Sequence, residues 1–151
     1  MGRVLGIDHG AVRIGIAISD ETNTIAFANE VIANDNKCLA NLKKIAEANN
    51  VSDIVLGYPL NLKGGKTKQT LDVEAFEEKL KSVFISGSEK DVSITRWDER
   101  FTSKMAADSM LESGMRKKNR QKKSNLDLIS AVFILQSYLD SVKYKNEYGV
   151  L

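Results

Sequence analysis

The 151 residues include one cysteine, one proline, one histidine and one tryptophan. A single cysteine, Cys38, can form neither an internal disulfide nor a cysteine-rich metal site. It falls within a helical pattern and is read as structural. The lone His9 excludes an imidazole cluster of the kind that holds zinc, and it is read as a turn residue beside a site, not as a ligand. No run of about 18 apolar residues occurs, so no segment has the make-up of a membrane-spanning helix. No basic region leading into a short apolar stretch precedes the first strand pattern. The expectation is a cytoplasmic protein that does not enter a membrane.

Net charge is small and its distribution along the chain uneven. The formal net charge is +2, from 22 basic and 20 acidic residues. Six of the eight residues in "RKKNRQKK", Arg116 to Lys123, are basic, and the rest of the chain keeps 16 basic against 20 acidic residues. A local basic stretch on an otherwise acidic chain points to nucleic acid more specifically than a diffuse excess would.

The hydrophobic fraction of 42% suits one domain with a single core, placed at residues 1–143 with a C-terminal tail at 144–151. "RVLGIDHGAVRIGIAISD" reads as two strands, Val4–Asp8 and Arg13–Ser19, joined at the His9-Gly10 corner. The second strand places Ile14, Ile16 and Ile18 on one face and Gly15, Ala17 and Ser19 on the other. A third strand is expected at Ile25–Ile32, a helix from Asn36 to Asn49, and a buried strand in "SDIVLGYPL" that Pro59 brings to an end. After the loop "NLKGGKTKQT" come a helix over Leu71–Phe84 and a strand over Val92–Trp97. A helix capped by Thr102 and running to Gly114 follows, and a last helix spans Leu126–Val142. This order implies an α/β fold, a mixed sheet with helices packed on it.

Three acidic positions fall at the ends of these elements: Asp8, the pair Asp98 and Glu99, and Asp127. Strands running parallel bring their carboxyl ends to one edge of such a sheet, where ligands of open α/β folds bind. Carboxylates gathered there repel one another unless a cation holds them. With no histidine or cysteine cluster present, Mg²⁺ or Mn²⁺ is the natural candidate. Each acid also has a structural reading. Asp127 stands three residues after Ser124, the spacing of a capping box, and Asp98 or Glu99 can pair with Arg96 or Arg100 at the surface. Asp8 is harder to explain away, because a carboxylate buried beside "VLGI" is costly without partners.

Taken in order, "GIDHGAVRIGIAISD", "IVLGYPLNLKGG", "WDERFTS" and "SNLDLISAVFILQSYLD" resemble the four motifs of the YqgF/RuvX family, Holliday junction resolvase-like nucleases linked to precursor 16S rRNA processing. The resemblance runs from Arg3 to about Leu139. It implies an RNase H-like fold with a five-stranded mixed sheet, the first three strands antiparallel and the last two parallel to strand one. It also implies a nuclease acting through Mg²⁺ or Mn²⁺, with two ions about 4 Å apart serving the two sides of the phosphorus. Carried over by position, the catalytic and metal-binding acids are Asp8, Glu99 and Asp127. Glu99 is preferred to Asp98 for its longer arm, although strand alternation puts the two on opposite faces. The chain departs from the family at His9, where proline is common, and in having one aspartate, Asp127, at the start of its last helix where true junction resolvases show a second.

Substrate contacts are expected from Lys63 and Lys66, from the backbone amides of Gly64 and Gly65, from Arg100 and Thr102, and from the basic stretch through Arg116, Lys117, Lys118, Arg120, Lys122 and Lys123. The expected partner is RNA in pre-ribosomal particles, or branched DNA, bound by a monomer or a homodimer. The first motif also resembles the phosphate hairpin of actin-like ATPases and sugar kinases, which need two lobes where this chain has one. A nucleic-acid-binding module without catalysis is the remaining rival.

Overall fold

A computed structural model describes residues 2–85, 92–100 and 123–148, with only the backbone of 123–125 and 148. Alternating large and small apolar residues build the first hairpin, β1 (Arg3–His9) and β2 (Arg13–Ser19). Their antiparallel register pairs Asp8 with Gly15, and the Gly10 amide donates to the Arg13 carbonyl at 2.8 Å to close the corner. The third strand, β3 (Ala26–Ala33), adds antiparallel to β2. The chain then crosses through α1 (Cys38–Ala48) to β4 (Val51–Tyr58), which lies parallel to β1. After α2 (Lys68–Phe84), β5 (Ser93–Asp98) extends the sheet parallel to β4. The sheet order is β3-β2-β1-β4-β5, the mixed five-stranded arrangement expected.

Strand alternation divides the core into two layers. Leu5, Ile7, Ile14, Ile16, Ile54 and Leu56 point to α1 and α2, where Leu42, Val73, Phe76 and Leu80 cover them. Val4, Ala17 and Val55 point the other way, against Ala131, Ile134, Leu135 and Leu139 of α3 (Lys123–Tyr148). The α3 face of the sheet carries small residues, and the helix seats closely on it. A side chain at Gly6 would stand 2.7 Å from the Cβ of Leu135.

Two helices differ from the sequence reading by three residues or more at an end, for physical reasons. Helix α2 begins three residues before Leu71 because Thr67 and Thr70 cap each other reciprocally, at 2.9 and 3.3 Å. Helix α3 exceeds Leu126–Val142 at both ends. Residues 144–148, expected in a tail, are helical: no glycine or proline interrupts them before Gly149, and Lys143 meets Glu147 at 4.0 Å with i,i+4 spacing. Among the described residues no helix is long and apolar enough to cross a membrane. The helix expected from Thr102 to Gly114 lies outside the described residues.

Candidate active site

Asp8 stands near the carboxyl end of β1, on the face covered by α3. Glu99 follows β5 directly, its amide donating to the Tyr58 carbonyl at 3.2 Å. Its carboxyl folds back over the end of β4 because residue 57 is glycine. A Cβ at Gly57 would collide with Glu99 Oε1 and stand 2.7 Å from Ile134 Cδ1. The two carboxyl groups meet in a hydrogen bond. Burial raises the Asp8 pKa to about 6: the bond from Glu99 works against this rise, and the charge of Asp127 adds to it. Burial, then the charge of Asp8, the shared bond and Asp98 push Glu99 up to about 9. At neutral pH Glu99 therefore keeps a proton and donates it to the Asp8 carboxylate.

Asp127 approaches from α3 by a second glycine. A Cβ at Gly15 would run into the Asp127 carbonyl oxygen and lie 2.7 Å from its carbonyl carbon. Gly15 is the strand partner of Asp8, so the helix sets Asp127 down beside it. The carboxylate itself is held by Arg13, Nε to Oδ2 at 3.4 Å. The capping-box reading does not hold, since Ser124 lies within a helix already under way at Lys123. The structure thus joins Asp8 to Glu99 and sets Asp127 beside them on an arginine. Among the described residues no three Asp, Glu, His or Cys side chains stand close enough to hold an ion as they are arranged.

Asp98 and Glu99 reach different neighbours. Asp98 closes the β4–β5 ladder opposite Tyr58. It accepts from the Arg100 amide at 2.9 Å and from Arg100 Nε at 2.8 Å, and its other contact with that guanidinium is 2.6 Å. The side-chain bond from Arg100 holds the Asp98 pKa below its usual range. Asp98 is a clamp for Arg100, and Glu99 is the acid that reaches Asp8.

An open cleft of about 540 Å³ contains this pair; Asn61, Leu62, Arg100, Ser130 and Ile134 also line it. The loop on its rim corrects one expectation. The Lys63 and Gly65 amides donate to Asn61 Oδ1 at 3.0 and 2.8 Å, and the Gly64 amide donates to the Asn61 carbonyl at 2.9 Å. Those of Gly64 and Gly65 are therefore not free to bind phosphate. Lys66 is likewise committed, to Glu74 at 2.9 Å, whereas the exposed Lys63 makes no ion pair among the described residues. His9 points to the opposite face, buried and tilted against Phe76 with ring centroids 4.5 Å apart. Thr102, Arg116, Lys117, Lys118, Arg120 and Lys122 lie outside the described residues, as does the side chain of Lys123.

The donor set suits a hard divalent cation. Two half-buried carboxyls that share a proton are oxygen ligands whose repulsion a cation would relieve. The sequence reading missed Arg13, Asn61, Gly15 and Gly57. Asn61 carries a legible signal, an asparagine before a Gly-Gly turn. The glycines carry none until their neighbours across the sheet are known.

Comparisons with known proteins agree with this picture. The sequence model of a family described as "RuvX: Holliday junction resolvase" matches residues 2–141. A protein of Sulfurihydrogenibium sp. (strain YO3AOP1), named "Putative pre-16S rRNA nuclease", is 41% identical over 97% of this chain and 96% of its own. One of the same name from Amoebophilus asiaticus (strain 5a2) is 40% identical over 98% and 99%. Among solved structures, T. thermophilus RuvC in complex with a Holliday junction substrate superposes with a TM-score of 0.61, at 11% identity, over 95% of this chain and 96% of that one. At that identity the likeness speaks for the fold.

Proposed function

The chain belongs to the RuvX family of nucleases, and on that footing we propose that it is a divalent-cation-dependent endonuclease that processes the 5′ end of precursor 16S rRNA. The observation that carries this reading is the half-buried Asp8–Glu99 carboxyl pair at the carboxyl edge of the sheet. An acid pair whose surroundings raise both pKa values gains nothing for the fold, and it suits a site that exchanges a proton for a cation. Asp8 and Glu99 would hold the ion, Mg²⁺ or Mn²⁺, and Asp127 would complete the set by exchanging its contact with Arg13 for the cation. When bound, the cation supplies Lewis acidity, activating a water against the phosphorus and stabilising the leaving oxygen.

The chain's own groups do the rest. Ile134 walls the acid pair on the helix side. Arg100, fixed by Asp98, presents a guanidinium to the cleft, suited to a phosphate. The Arg116–Lys123 stretch leads directly into the helix bearing Asp127, so phosphate neutralisation would occur next to the acids. A second ion, as in the two-ion form of the mechanism, would draw on the same three carboxylates. The family model's description favours a second substrate, a four-way DNA junction.

The test is cleavage of end-labelled precursor-rRNA fragment, single-stranded RNA and four-way junction by wild type and Asp8→Asn, with Mg²⁺, Mn²⁺ or chelator. The expected result is metal-dependent RNA cleavage, reduced by orders of magnitude in Asp8→Asn with binding retained. Cleavage confined to the junction would shift the substrate to DNA. Unchanged cleavage by a folded Asp8→Asn protein would remove the acid pair from catalysis.

A further inference from the structure

Two arginine–carboxylate pairs on the sheet differ in kind. On the α2 face, Arg96 closes a fork on Glu77: its Nε lies 3.0 and 3.2 Å from the two carboxylate oxygens and a terminal nitrogen lies at 2.7 Å, on a side chain only 5% exposed. On the α3 face, Arg13 meets Asp127 through Nε alone, at 3.4 Å, with side chains 35% and 26% exposed. Among the described residues this is the one polar contact of the Arg13 side chain. A single long contact between partly exposed charges adds little to the fold.

Both main chains at this contact are fixed. That of Asp127 is seated against Gly15, which shares a strand face with Arg13. The Arg13 carbonyl accepts from the Gly10 amide at 2.8 Å, and Asn34 holds the same corner, its amide donating to the Val12 carbonyl at 2.9 Å and its Nδ2 to the Gly10 carbonyl at 2.7 Å. The part with freedom to turn is the arginine side chain, with its rotatable stem. Arg13 opens β2 across the hairpin from the end of β1, where Asp8 lies, so its guanidinium stands at the edge that a substrate strand reaches first. A cation that draws the Asp127 carboxylate leaves that guanidinium without its counter-ion. The anion then at hand is a phosphate of the strand, which a guanidinium takes by two parallel hydrogen bonds.

Resting on the nuclease reading above, we propose that Arg13 is a substrate-binding residue held in reserve by Asp127: the divalent cation takes Asp127 from Arg13 and frees the guanidinium for the phosphate backbone. Without the cation the pair is neutral and Arg13 gives the strand little. Cation and nucleic acid therefore bind cooperatively through this exchange, and the strand in turn tightens the hold on the cation.

The test uses the full-length chain as wild type, Arg13→Gln, Arg13→Lys, Asp127→Asn and the Arg13→Gln, Asp127→Asn double variant. Mn²⁺ binding to RNA-free protein is followed by the electron paramagnetic resonance signal of the free ion. Arg13→Gln is expected to bind Mn²⁺ about fivefold more tightly than wild type. In the Asp127→Asn background the same substitution should change nothing, because the arginine competes only through Asp127. Binding of a labelled single-stranded RNA is then compared in chelator and in Ca²⁺, at a temperature where gels show the RNA intact. Arg13→Gln should lose about tenfold in affinity in Ca²⁺, the range of one charge-assisted contact, and about twofold at most in chelator. Arg13→Lys, which keeps the charge, should recover most of that loss.

Unchanged or weaker Mn²⁺ binding by Arg13→Gln would overturn the exchange, as would an equal gain in the Asp127→Asn background, the mark of a through-space charge effect. An RNA affinity that Arg13→Gln leaves unchanged, or lowers equally with and without Ca²⁺, would overturn it too. A folded wild type that fails to bind Mn²⁺ or RNA would overturn the nuclease reading first and this proposal with it.

Discussion

Glu99 is a carboxyl whose surroundings favour its neutral form, and that has a direct consequence for stability. A group whose folded-state pKa lies above its unfolded value supports folding fully below the unfolded pKa and loses that support as pH rises through the folded one. Burial raises Asp8 to about 6 and Glu99 to about 9, so metal-free protein is expected to lose stability from about pH 4 upward until both acids are ionised. Glu99→Gln should flatten this slope. At pH 9 in chelator the variant is expected to be the more stable by about 2 kcal/mol, several degrees in Tm, as thermal melts across pH would record. Mg²⁺ should stabilise wild type most at high pH, where no proton must leave, and stabilise Glu99→Gln little. A wild type whose stability is flat across this range would contradict the proton-sharing pair. The acids themselves were legible in the sequence, because carboxylates at strand ends beside apolar runs stand out. The choice between Asp98 and Glu99 was not, since it depends on where the β4–β5 ladder stops and on the room left by Gly57.

At the scale of elements, the site depends on how closely α3 lies on the sheet. A methyl group at Gly15 meets backbone atoms of Asp127, which cannot swing aside as a side chain would. Gly15→Ala is expected to cost about 1–3 kcal/mol and to lower metal-dependent cleavage further than that loss of folded protein accounts for, because the helix carries Asp127 away from Asp8. Chemical denaturation and cleavage rates, measured on the same preparation, separate the two effects. Loss of stability with full activity per folded molecule would show that Asp127 need not sit so close. The glycine appeared in the sequence only as the small side of an alternating strand. Its meaning comes from a helix more than a hundred residues away, and no local pattern encodes that approach. The loop shows the same limit: "NLKGGK" announced a turn, but the capture of its amides by Asn61 emerged only from the folded loop.

For the whole molecule the main electrostatic feature is segregation: six basic charges in the eight residues that end at Lys123, on a chain otherwise acidic by four. Replacing Lys117, Lys118, Lys122 and Lys123 with alanine should reduce the slope of log affinity against log salt by about three for single-stranded RNA if all four meet phosphates. Titrations at several ionic strengths read this directly, and an unaltered slope would place the phosphate contacts elsewhere. The sequence by itself determined the order of strands and helices, the mixed sheet, the acidic positions and the basic stretch, because periodicity, turn residues and charge are local properties of a chain. Tertiary structure decided which acids meet, with Asp8 facing Glu99 across Gly57 and Asp127 resting on Gly15 with Arg13 as its partner. It also decided that His9 turns to the opposite face. Those outcomes depend on strand register and on the seating of α3, and both are settled only when distant segments pack together.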